Sequence, residues 1–185
     1  RYEDKFTLAT HIINSSVLHH VTSFNGYDRQ AAVAALETQC EQLQIGGVLI
    51  VRDFVDPGPA TVWLDVPGGD GDDSSDVATC STARLFERFA GEFRQLNEPS
   101  ERGFRYRRLQ PSPAHPIAAG FERFEVAHTH AVEFVLRKDY RSSWSVEVQE
   151  EYTFATQSEL EETFKRIGLR VLASTPICNP WIVAN

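Results

Sequence analysis

Two adjacent histidines, His19 and His20, close an apolar run and are the residues of this chain best suited to moving a proton. An imidazole with an unperturbed pKa of about 6.5 can take a proton from a substrate hydroxyl or amine near neutral pH. Neighbours on an extended segment point to opposite sides, so both rings reach one small site only if the backbone turns there. His20 is the preferred base and His19 the second candidate. Asp53 ends a second apolar run, where its carboxylate can accept from a substrate amine or hydroxyl, pair with Arg52, or cap a loop. Asn14, Ser15 and Ser16 put small polar groups into an otherwise apolar stretch, and such groups need hydrogen-bond partners when buried. His128 and His130 would share a face on a strand, as a pair of metal ligands does, but diverge by about 200° on a helix. Ala127, Ala131, Phe134 and Val135 favour the helix, and no nearby carboxylate completes a zinc motif. Substrate contact by His128 or His130 is therefore expected, and no metal site.

The elements that must position these groups follow from periodicity. The runs 11–17 and 48–55 are short, rich in Ile and Val and bounded by turn residues, which predicts buried strands over about 10–17 and 47–55. Between them lies a polar turn over 22–28, and then Ala32, Leu36, Cys40 and Leu43 recur at helical spacing. Asp28 is placed as N-cap and Gly46-Gly47 at the exit. Strand, helix and strand make a βαβ unit, whose strands are parallel.

The 185 residues suit one domain with a sizeable core. No apolar stretch approaches the roughly 18 residues that span a bilayer, and the opening RYEDKF lacks the apolar core of a signal peptide. A net charge of -8 argues against broad nucleic-acid binding. Cys40, Cys80 and Cys178 are too widely spaced for a disulfide framework or a cysteine zinc site, which makes a reducing cytoplasm the expected compartment. A chain that opens at Arg1 and contains no Met is expected to be a piece of a longer protein.

SSVLHHV, a helix, and LQIGGVLIVRDF, in that order, resemble the middle of a class I S-adenosylmethionine-dependent methyltransferase. There a strand ending in "vlhh" is followed by a helix and an "LkpGGvliirD" strand. The resemblance implies that the carboxyl ends of the strands face cofactor and acceptor, as in open α/β sheets generally. Asn14, Ser15 and Ser16 would then line the S-adenosylmethionine pocket, and His19, His20 and Asp53 the acceptor side. Residues 150–172, EEYTFATQSELEETFKRIGLRVL, resemble the end of the same fold, with a helix entered through a capping box at Thr156 and Glu159. Strands over 169–174 and 181–184 would form its closing antiparallel hairpin. The family's G-x-G-x-G loop and the acidic residue after it are absent, so the chain would hold strands four to seven of the family sheet.

The middle, residues 56–145, reads as a mostly helical insertion or cap. It opens with a short strand or extended arm at 61–66 and a flexible acidic loop over 67–77. Within that loop, residues 68–73 match a single copy of a calcium-binding repeat that is informative only in tandem. Phe86, Phe89, Phe93 and Leu96 mark an amphipathic helix. RGFRYRR mixes basic and aromatic residues as RNA-binding strands do, but in an acidic chain it reads better as a partly exposed strand.

The expected architecture is a mixed α/β sheet of Rossmann-like type with helices on both faces. Residues 1–55 and 146–185 form the core and 56–145 the insertion. The expected function is the C-terminal part of a methyltransferase for a small-molecule acceptor; the other reading is a methyltransferase-like binding module without catalysis. Because the family's fourth strand lies beside its first, the 10–17 strand would keep a free edge. That edge would be closed by a homodimer, by the arm at 56–76, or by a retained N-terminal half.

Overall fold

The computed structural model describes residues 8–177. Strand β1 (Ala9–Ser15) runs parallel to β2 (Leu43–Arg52), with Ile12 opposite Leu49, Ile13 opposite Ile50 and Asn14 opposite Val51. Between them come a short helix α1 (Leu18–Ser23) and the crossover helix α2 (Arg29–Gln42). Asp28 caps α2 by accepting from the Gln30 amide at 2.9 Å. The parallel βαβ unit is as the periodicity predicts, but the strands are not buried as expected, with only Asn14 of β1 and no residue of β2 buried. Gly46-Gly47 lie inside β2 and not at a helix exit. The chain also leaves β1 into α1, where a strand end and a polar turn were expected. The cause is Asp53, whose carboxylate accepts from the Leu18 amide and satisfies a donor that the first turn leaves open.

The middle of the chain corrects the mostly helical expectation. Strands β3 (Thr61–Pro67), β4 (Tyr106–Leu109) and β5 (Phe121–Ala127) form an antiparallel sheet in the order β3-β5-β4. Val62, Leu64 and Val66 alternate with Trp63 and Asp65, and Phe124 and Val126 with Arg123 and Glu125, so one face is apolar. Onto that face pack α3 (Thr82–Glu92) and α4 (His128–Arg137), closing a core around Phe86, Phe89, Phe124 and Phe134. The arginines of β4 pair outward, Arg107 with Glu125 and Arg108 with Glu122, which fits the partly exposed strand. The acidic loop is pinned to the start of α3, where Asp70 accepts from the Thr82 amide. Gly71 lies so close to Thr79 and Cys80 that a Cβ would meet the Thr79 carbonyl oxygen at 2.4 Å.

A second core joins Leu18, Ala32, Leu36, Phe154 and Ala155 to Leu49, Val51 and the helix α6 (Gln157–Arg166). Thr156 and Glu159 form the expected capping box. Among the described residues, helices cover one face of the parallel pair, not both: on the other, Ile13 and Ile50 are 66% and 47% exposed. Residues 169–174 carry no strand, and the partner expected at 181–184 lies outside the described residues. The arm is committed to β5 through β3 and does not cover β1.

Candidate functional site

Both cores are bridged by residues 148–155, an irregular segment that follows α5 (Trp144–Glu147). Irregular backbone inside a protein needs side chains to satisfy it, and a buried ion pair on α4 supplies them. The Glu133 carboxylate accepts from the amides of Tyr152 and Thr153, and its partner Arg137 donates to the carbonyls of Glu147 and Glu150. From the other side the Ser23 hydroxyl of α1 accepts from the Glu151 amide at 2.8 Å. Glu150 and Tyr152 are thereby fixed against α1.

There the two histidines meet. A helical turn replaces the extended backbone, so the rings of His19 and His20 lie on neighbouring sides with centroids 4.2 Å apart. His19 Nδ1 is 2.6 Å from Asp53 Oδ1, with the His19 side chain 3% and the Asp53 side chain 1% exposed. An ionised carboxylate only accepts, so Nδ1 carries a proton, and in the neutral ring Nε2 is then the nitrogen with the lone pair. Nε2 faces Glu150 Oε2 at 3.9 Å, and His20 Nδ1 lies 3.3 Å from Glu150 Oε1. His20 is the solvent side of the group, its side chain 45% exposed. Tyr152 and Phe54 stack on each other and wall His19. Burial raises the Glu150 carboxyl above its ordinary range; Glu147 adds to this, while His20, His19 and Arg137 act against it. Burial and the hydrogen bond to Glu147 raise the Tyr152 phenol.

Asp53 therefore acts both as the cap of α1 and as the partner of His19, a pairing that sequence reasoning left out in favour of Arg52. Arg52 instead donates to the hydroxyls of Ser15 and Ser16, each at 3.3 Å. Ser16 sits at the carboxyl end of β1 with φ 54°, a left-handed conformation unusual for a residue with a Cβ. Asn14 is buried against α2, its amide exchanging hydrogen bonds with Gln39. His128 and His130 open α4 away from this group. His128 donates its amide to the Ala60 carbonyl, and His130 stacks on Phe104 at 4.1 Å. Sequence reasoning missed Glu150, Tyr152, Glu133 and Arg137. The signal for the last two was a Glu and an Arg four apart within an apolar helical stretch.

Comparison of the chain with protein-family models, curated proteins and solved structures yields no match.

Proposed function

We propose that the chain is the C-terminal part of a class I S-adenosylmethionine-dependent methyltransferase for a small-molecule acceptor. Support comes first from position. The His19–Asp53 pair and the exposed His20 lie just past the carboxyl ends of two parallel strands, where open α/β folds bind their ligands. Ser15 and Ser16 share that end and retain hydroxyl hydrogens to donate, so they fit the polar rim of a cofactor pocket. Asn14 fits less well, because Gln39 occupies its amide.

S-adenosylmethionine, when bound, supplies an electrophilic methyl group. The residues of this chain hold the acceptor and receive its proton. Asp53 fixes the His19 ring, and Tyr152 and Phe54 exclude water from its inner side. His20, beside the Glu150 carboxylate, is the base that faces solvent and an incoming hydroxyl or amine. Positioning contributes much of the acceleration in such a transfer, and the base serves only acceptors that must lose a proton.

Calorimetry with S-adenosylhomocysteine, on this chain and on a version extended at its N-terminus, tests the proposal. The extended chain is expected to bind; its failure to do so would remove the enzyme reading. The exposed face carrying Ile13 and Ile50 favours a second reading, a noncatalytic module that docks a partner there.

A further inference from the structure

We propose that His19, His20 and Glu150 bind a divalent transition-metal ion of the zinc class, with a coordination position left open to solvent. One ligand atom from each side chain lies within 4.8 Å of the other two. Zinc bonds of roughly 2.0–2.2 Å in tetrahedral geometry put neighbouring ligand atoms about 3.3–3.6 Å apart. His20 Nδ1 is 3.3 Å from Glu150 Oε1 and His19 Nε2 is 3.9 Å from Oε2. Gathering both imidazoles and one carboxylate oxygen on a single ion therefore takes a turn of the carboxylate and a closure within the 4.8 Å that separates the ligand atoms.

Two further observations point to a cation. The Glu150 side chain is 8% exposed, and its carboxylate faces both imidazoles, 3.3 Å from His20 Nδ1 and 3.9 Å from His19 Nε2. Arg137, the nearest buried cation to this segment, donates to the Glu150 backbone carbonyl. A largely buried carboxylate is costly unless its charge is matched; neutral imidazoles carry no charge, whereas a metal ion held among the three side chains would supply one. Independently, Asp53 holds His19 by Nδ1 and leaves Nε2 turned inward, the carboxylate–histidine arrangement that orients metal-binding imidazoles. Two imidazoles and one carboxylate favour zinc, cobalt or iron over magnesium or calcium, which prefer all-oxygen shells. The exposure of His20 places the open position at the surface, the mark of a site that acts on a ligand and not of a structural one.

A hydroxyl bound at that position loses its proton more readily. His20 cannot use one lone pair both as ligand and as base, so metal binding decides which role it fills. The inference needs no nucleoside cofactor and stands apart from the methyl-transfer proposal.

The test uses the full 185-residue chain, freed of any polyhistidine tag. Zinc is titrated by calorimetry, and cobalt by visible absorption. One ion per chain is expected, with His20→Ala and Glu150→Gln each weakening zinc at least about 10-fold and Asp53→Asn about 10- to 100-fold. His128→Ala, outside the cluster, should leave affinity unchanged. Should Glu150→Gln fail to fold, His20→Ala at its exposed position still decides. Absence of one-to-one binding, or an affinity unmoved by His20→Ala, would overturn the site. Since S-adenosylhomocysteine is absent from this titration, either proposal can fail while the other stands.

Discussion

At the scale of single residues, the chain treats its histidines in opposite ways. His19 is buried with a carboxylate in contact, whereas His130 is packed between Phe93 and Phe104, and among the described residues its Nδ1 has no hydrogen-bond partner. Burial, reinforced by Arg94 and opposed by Asp56, pulls the His130 pKa down to about 4. The folded state thus resists a proton that the unfolded chain accepts at about 6.5. The contribution of His130 to stability is fully present above about 6.5 and is lost as pH falls from there towards about 4. Urea unfolding at pH 7 and pH 5 should show the native chain losing about 1 kcal/mol more than His130→Phe, after allowance for solvent screening. Equal losses would mean that His130 is not held neutral. Asp53 was legible as a residue of interest because it ends an Ile- and Val-rich run. Its pairing with His19 was not, since 34 residues separate them and only the βαβ return brings them together.

Among the elements, those defined by local rules were readable in advance. The Ile and Val runs, the Asp28 cap, the phenylalanine stripe of α3 and the Thr156–Glu159 capping box each depend on neighbours within a few residues. The antiparallel sheet was half legible: β3 and β4 showed as short strands, but β5 runs directly into α4 and its pattern merged with the helix. The segment 148–155 was opaque, because it has no period and is held by α4 through contacts 13 to 20 residues away. That dependence makes a prediction. Replacing Arg137 by Leu strips the Glu133 carboxylate of its partner inside the core, where breaking a buried pair costs about 3–5 kcal/mol. Denaturant unfolding of Arg137→Leu should show a loss of that order, and Glu133→Gln with Arg137→Met a smaller one. A loss below about 1 kcal/mol for the single substitution would show that the pair does not hold the segment.

At the scale of the molecule, the antiparallel sheet has its apolar face covered by α3 and α4, whereas among the described residues the parallel pair has one apolar face open. Within the described residues β1 pairs on one side only, with β2, and the sheet face bearing Ile13 and Ile50 is open. Unpaired strand edges beside exposed apolar side chains invite another chain. The arm is committed to β3, so pairing with a second copy of the chain is the closure proposed for this edge. The isolated chain is expected to dimerise in light scattering, with slowed hydrogen exchange at residues 12–15 of β1. A strict monomer whose β1 amides exchange rapidly would show that the edge is not an interface.

The central claim is that the fold delivers His19, held by Asp53, and His20 into one site with Glu150. Its most direct test is the tautomer of His19, read from long-range proton–nitrogen NMR of the nitrogen-labelled chain. The neutral ring is predicted to carry its proton on Nδ1, bonded to Asp53, and to lose that preference in Asp53→Ala. A proton on Nε2 in the native chain, or a spectrum unmoved by Asp53→Ala, would contradict the site.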